Sequence, residues 1–145
     1  MAPHRLAVRV YYEDTDFSGV VYHASYLRFF ERGRTEFLRA LGIGQAELFA
    51  GGRPLAFAVT HMTIDFRKAA RMDDLIEVET DCVTLGRASL VMRQRLTRGA
   101  DLLTEATVKI AAMAEGRVAR LPGEIAARLA RASAGAAIDE IPRSR

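Results

Sequence analysis

Ser25-Tyr26-Leu27-Arg28-Phe29-Phe30-Glu31-Arg32-Gly33-Arg34-Thr35-Glu36-Phe37-Leu38-Arg39-Ala40-Leu41 carries apolar side chains at Tyr26, Phe29, Phe30, Phe37, Leu38 and Leu41, with charged residues between them. That spacing predicts one helix over about 25–41, with Gly42 as its C-terminal stop. Gly33 lies near the apolar stripe, where glycine costs up to about 1 kcal/mol of helix propensity. Close approach of the helix to a sheet is a reason to keep it there.

Downstream the period changes from 3.6 to 2. Ala56–Phe66, Leu75–Thr84, Ala88–Thr97 and Leu102–Ala114 read as four strands. Gly86 separates the second from the third, and Gly99-Ala100-Asp101 the third from the fourth. Links this short require antiparallel neighbours. Upstream, Leu6–Tyr11 alternates and suits a first strand, and residues 12–22 form a loop with Gly19 as its turn residue. Residues 43–54, with Gly51-Gly52-Arg53-Pro54, are expected to form a loop or short helix. After Pro122, Ile125 and Leu129 suggest a short amphipathic helix. One α+β domain over residues 1–132 is expected, followed by a flexible C-terminal tail over 133–145. A single long helix followed by long antiparallel strands describes a hot-dog fold, a five-stranded antiparallel sheet wrapped around the helix. One helix leaves both sheet edges and part of a face uncovered, which predicts a homodimer or a dimer of dimers.

Half of the 145 residues are hydrophobic and 27% are charged, a composition typical of globular proteins. No apolar run approaches the roughly 18–20 residues that span a membrane. The N-terminus lacks the apolar core of a signal peptide, so a cytoplasmic location is expected. Cys82 is the only cysteine, which excludes an intrachain disulfide, and its alternation with Ile76, Val78 and Thr80 predicts a small buried side chain. His4, His23 and His61 show no ligand spacing, so no metal site is expected. The net charge of +3 is carried by scattered arginines and only two lysines, Lys68 and Lys109, a poor footprint for nucleic acid. A small basic patch could still receive the phosphates of a soluble ligand.

The chemistry concentrates in Tyr11-Tyr12-Glu13-Asp14-Thr15-Asp16-Phe17-Ser18-Gly19-Val20-Val21-Tyr22-His23. A carboxylate at the end of a strand precedes a glycine turn, and a histidine opens a helix. A carboxylate can serve as base or nucleophile, and free amides at a helix start can hold developing negative charge. Asp16 could equally cap the helix, and His23 could be a structural histidine. Gly19 suits both a turn and a close substrate approach; Tyr22 suits packing or substrate contact. Lys68 and Arg71 flank a strand end, as phosphate ligands or as a solvated charged end. Asp14 is expected to brace the loop, and Glu31 to pair with Arg28, Arg32 or Arg34 or to make a structural hydrogen bond. Tyr12 could support Asp16 or merely pack. His61 alternates with Val59 and Thr63 on one strand face.

Tyr12–Asp16, Gly19–Tyr26 and Phe30–Glu36 together resemble the hot-dog thioesterases related to 4-hydroxybenzoyl-CoA thioesterase, and among these the YbgC-type acyl-CoA thioesterases encoded with the Tol–Pal envelope system. Ile64–Asp74 adds a second match, and the resemblance covers about residues 5–120. Ala69 departs from it, since relatives commonly carry proline there. The resemblance implies that Asp16 is the catalytic aspartate and that the backbone N–H at His23 faces the thioester carbonyl. It implies hydrolysis of acyl-CoA to a carboxylic acid and CoA, with no cofactor. Asp16 would attack the carbonyl directly or take a proton from water. Alternatives are a non-catalytic acyl-CoA or acyl-carrier-protein binder or envelope scaffold, and a hydratase, whose histidine-rich signature the chain lacks.

Overall fold

The computed structural model describes residues 3–133. Its elements are β1 (His4–Arg9), α1 (His23–Ala40), α2 (Gln45–Phe49), β2 (Ala56–Phe66), β3 (Leu75–Leu85), β4 (Ser89–Arg98), β5 (Asp101–Ala114), β6 (Arg117–Val118) and α3 (Gly123–Ala132). The main strands lie in the order β1-β3-β4-β5-β2, every neighbour antiparallel. The expected five-stranded sheet is thus present, with one addition. β6, two residues long, turns back at Glu115-Gly116 to pair with the end of β5. Two residues are too few to display an alternation, so the pattern gave no sign of it.

The helix and strands fall close to their predicted bounds. β1 begins and ends two residues earlier than its alternation suggests, because its partner β3 starts at Leu75, opposite Arg9. Val10 then exchanges backbone bonds with the loop before β3, donating to Asp74 O at 2.9 Å and accepting from Asp73 N at 2.9 Å. The tail expected over 133–145 lies outside the described residues apart from Ser133.

The sheet curls around α1, with register irregularities at Val59/His61, Cys82/Thr84 and Leu96/Thr97 that increase its twist. Its concave side supplies Ile76, Val78, Met92, Leu96, Ala106 and Val108, each at most 2% exposed, against Tyr26, Phe29, Phe30 and Phe37 of the helix. Gly33 is where helix and sheet come closest. A Cβ there would lie 2.5 Å from Val78 Cγ1, 3.0 Å from Gln94 Nε2 and 3.1 Å from Thr80 Oγ1. Under that contact the buried Gln94 amide donates to Phe30 O and Thr80 Oγ1 and accepts from Arg34 Nη1. A polar group inside the core is thereby satisfied.

α3 buries Ile125, Leu129 and Ala132 and packs on β3, and Arg128 donates to Gly42 O just past the end of α1. Cys82 is buried as expected, and burial pushes its thiol pKa up. The convex face is lined by cross-strand ion pairs such as Arg5–Glu79, Arg95–Glu105 and Arg67–Glu105. Such exposed pairs contribute little stability but keep that face in water. No helix among the described residues is long and apolar enough to cross a membrane.

Candidate active site

The segment between β1 and α1 is held by backbone bonds at nearly every step. A short 3₁₀ turn over Tyr12–Asp14 buries Asp14, whose carboxylate accepts from Tyr11 N at 2.8 Å and whose carbonyl accepts from Tyr22 N at 2.9 Å. Asp14 therefore braces the loop. Thr15 and Val21 bridge, and inside them Asp16 N donates to Val20 O (2.8 Å) and Gly19 N to Asp16 O (3.0 Å). This tight turn needs Gly19, whose φ of +84° is costly for any residue with a Cβ. The loop is tied in turn to residues 69–74: Val21 N donates to Ala70 O at 2.8 Å, and Val20 bridges Arg71.

Asp16 does not cap the helix. Its Oδ1 accepts from Ser18 N (2.9 Å) and Ser18 Oγ (2.7 Å), while Tyr22 is the N-cap residue and has no side-chain capping bond. The Ser18 hydroxyl, chiefly, holds the Asp16 carboxyl below the usual carboxylate range. One oxygen of an ionised, solvent-facing carboxylate is engaged, and among the described residues Oδ2 has no partner. Ser18 was not singled out from sequence; a serine two residues after an aspartate is the signal that could have found it.

α1 begins at His23, three residues before the first side chain of its apolar stripe. Ser25 N already bonds Tyr22 O, but the amides of His23 and Ala24 have no acceptor among the described residues. Two donors at the positive end of an 18-residue helix thus follow the Asp16 turn directly. The Tyr22 and His23 rings lie 4.5 Å apart, and Tyr22 remains 46% exposed, beside the site instead of in the core.

Other candidates fall at varying distances from this point. Arg71 joins it through the bridge to Val20, with its side chain exposed. Lys68 instead pairs with Asp101 at the β4–β5 turn, Nζ to Oδ1 at 3.0 Å. Glu31 accepts from Thr35 Oγ1 at 2.6 Å and forms no ion pair among the described residues, so the hydrogen bond replaces the arginine pair. Tyr12 is 77% exposed. The irregularity at Thr60 breaks the expected alternation: Val59 lines a cavity of about 210 Å³ with Leu38, Phe57 and Ile110, whereas His61 pairs with Lys109 on the solvent side. Two residues sequence reading missed support the 69–74 segment. Asp74 Oδ2 accepts from Arg71 N (2.8 Å) and Arg98 Nη1 (2.7 Å), and Tyr26 Oη accepts from Ala70 N (3.0 Å). Among the described residues no three His, Cys, Asp or Glu side chains gather to hold a metal ion.

The Ser18 contact carries a pH prediction. Protonating Asp16 removes its usefulness as base or nucleophile, and the hydroxyl favours the ionised form. Ser18→Ala should therefore raise the Asp16 pKa and move the acid limb of the kcat/KM profile to higher pH, with Ser18→Thr retaining the wild-type profile. An unmoved acid limb in the alanine variant would show that this contact does not tune the reacting group.

A curled antiparallel sheet wrapped around one long helix is the hot-dog fold. The Thioesterase superfamily profile matches residues 18–105. The chain is 50% identical over 111 residues to "Acyl-CoA thioesterase YbgC" of Haemophilus influenzae, covering 77% of this chain and 81% of that protein. A probable thioesterase from Bartonella henselae superposes with a TM-score of 0.82 at 47% identity, over 83% of this chain and all of that one. A thioesterase from Thermus thermophilus, solved with coenzyme A and zinc, gives 0.79 at 26% identity over 92% and 96% of the two chains. The chain belongs to the thioesterase superfamily and is a thioester hydrolase.

Proposed function

We propose that the chain hydrolyses acyl-CoA thioesters, giving a carboxylic acid and free CoA. The observation that carries this reading is the Asp16 carboxylate, bonded through one oxygen only, on a turn leading into two unbonded helix-start amides. The thioester carbonyl oxygen would rest on the N–H groups of His23 and Ala24. Such a preorganised donor contributes about 2.7–4 kcal/mol to transition-state stabilisation. The free oxygen of Asp16 would then attack the carbonyl carbon, forming a mixed anhydride and expelling the CoA thiolate, with water hydrolysing the anhydride. In the other route it takes a proton from a water that attacks directly. Both routes require Asp16 ionised, and neither needs a cofactor. The relative named as an acyl-CoA thioesterase and the structural relative solved with coenzyme A support the choice of thiol. Gly19 and Tyr22 would border the bound thioester, and Arg71, exposed and bridged to Val20, would meet a phosphate of CoA. Lys68 would share its ammonium between such a phosphate and Asp101.

The test is release of free thiol from a panel of short aliphatic, long aliphatic and aromatic acyl-CoAs. Turnover of none of them would remove the reading.

Two copies would complete the molecule. β2 is an edge strand whose outer side has no partner among the described residues, and it exposes Val59 and Phe66 at 47% and 51%. An uncovered edge of 11 residues invites pairing with a second copy. Light scattering is expected to give a dimer or its multiple; a monomer at assay concentration would contradict this.

A further inference from the structure

We propose that Tyr26 is a positioning residue for this hydrolysis, fixing the helix start relative to the turn that carries Asp16. The proposal rests on the hydrolase reading and concerns a residue that the reaction itself does not require.

Ala70 is fully buried, and both of its backbone groups are used. Its N–H donates to Tyr26 Oη at 3.0 Å, and its carbonyl accepts from Val21 N at 2.8 Å. Tyr26 lies in the first turn of α1, and Val21 is two residues before His23. Tyr26, Ala70, Val21, Tyr22 and His23 therefore form a closed ring, part covalent and part hydrogen-bonded. On one side of Val21 the ring meets the bridge to Thr15 that closes the Asp16 turn. On the other it contains the helix-start amides.

Each member is itself held. The Tyr26 ring is 4% exposed and meets Phe29 and Phe66 edge-on, with centroids 6.3 and 5.4 Å away. The segment around Ala70 is gripped from its far side, where Arg98 Nη1 donates to Ala69 O (3.2 Å) and to Asp74 Oδ2 (2.7 Å). A hydroxyl satisfying one buried N–H would be an ordinary structural contact. Its place between carboxylate and amides gives it a further consequence. Misplacing reacting groups by about 1 Å costs on the order of 10²-fold in rate, even when the cause lies outside the chemistry.

The test compares kcat and KM of wild type and Tyr26→Phe on the acyl-CoA that wild type turns over fastest, with amide hydrogen exchange read at Ala70 and Val21. Tyr26→Phe keeps the ring and loses only the acceptor. Its kcat should fall by about tenfold and its KM stay within about twofold, with faster exchange at Ala70. Ser133→Ala removes another buried hydroxyl, which donates to Leu129 O at 2.6 Å at the end of α3. It should lower Tm while leaving kcat alone. Arg98→Gln, which loosens the same segment from a part-exposed position, should repeat the kcat-specific loss on a smaller scale. Faster Ala70 exchange with wild-type kcat in Tyr26→Phe would overturn the proposal. Should that variant not fold, wild-type kcat in Arg98→Gln would overturn it. A wild-type protein inert toward every acyl-CoA would instead remove the hydrolase reading, and this proposal with it.

Discussion

Asp16→Asn is expected to slow acyl-CoA hydrolysis by about 10²–10⁴-fold, the span that loss of a positioned base or nucleophile produces. The substitution is close to isosteric. The amide oxygen of Asn can still accept from Ser18 N and Oγ, so the turn should keep its shape. Asp16 is exposed and makes no ion pair among the described residues, so Tm should be nearly unchanged. The measurement is initial rate at saturating substrate beside a thermal melt of the same sample. A rate drop with an intact melt assigns the loss to chemistry. Hydrolysis by the variant at the wild-type rate would move the reaction to another residue. The wild-type profile supplies a second check. Asp16 works ionised and its pKa is depressed, so activity should persist below the ordinary carboxylate range and fall only as pH drops through that lowered value.

Gly33→Val is expected to have the largest effect on stability. The added Cβ alone would sit 2.5 Å from Val78 Cγ1, a β-branched side chain with little rotamer freedom on a strand paired along both sides. Gln94 and Thr80, on the other sides, are bonded to one another and cannot retreat without breaking that contact. Overpacking of this kind costs about 3 kcal/mol, which in a chain of this size lowers Tm by roughly 10 °C. Gly33→Ala should cost less. It meets the same clash without the extra methyls, and about 1 kcal/mol of helix propensity offsets part of it. Denaturant melts of the two variants would order them, and an alanine variant more stable than wild type would mean that the sheet can retreat from the helix.

How far the structure was legible in the sequence depends on how local each signal is. The helix and strands came through because side-chain alternation is written in neighbouring residues, and Gly33 stood out because glycine is a poor helix former without a packing reason. Helix start was less clear: His23 and Ala24 lie ahead of the apolar stripe, where the backbone of Tyr22 and Asp14 sets the boundary. His61 shares its strand face with Thr63 as its alternation predicts but not with Val59, since one irregularity at Thr60 inverts the side chains that follow it. At the site, Asp16, Gly19 and His23 sit within eight residues of one another and could be read together. The contacts that hold them could not. Tyr26 meets Ala70 across 44 residues, and Asp74 meets Arg98 across 24, distances at which no local pattern operates.

One buried side chain decides how readily all of this can be assayed. Cys82 carries the chain's sole sulfhydryl, sealed at 4% exposure near the end of α3 and held protonated by its surroundings. A disulfide reagent added to the native enzyme should therefore colour only with coenzyme set free by turnover, over a flat blank. When the fold opens, the same reagent should titrate one equivalent of protein, so a single cuvette can follow both catalysis and denaturation.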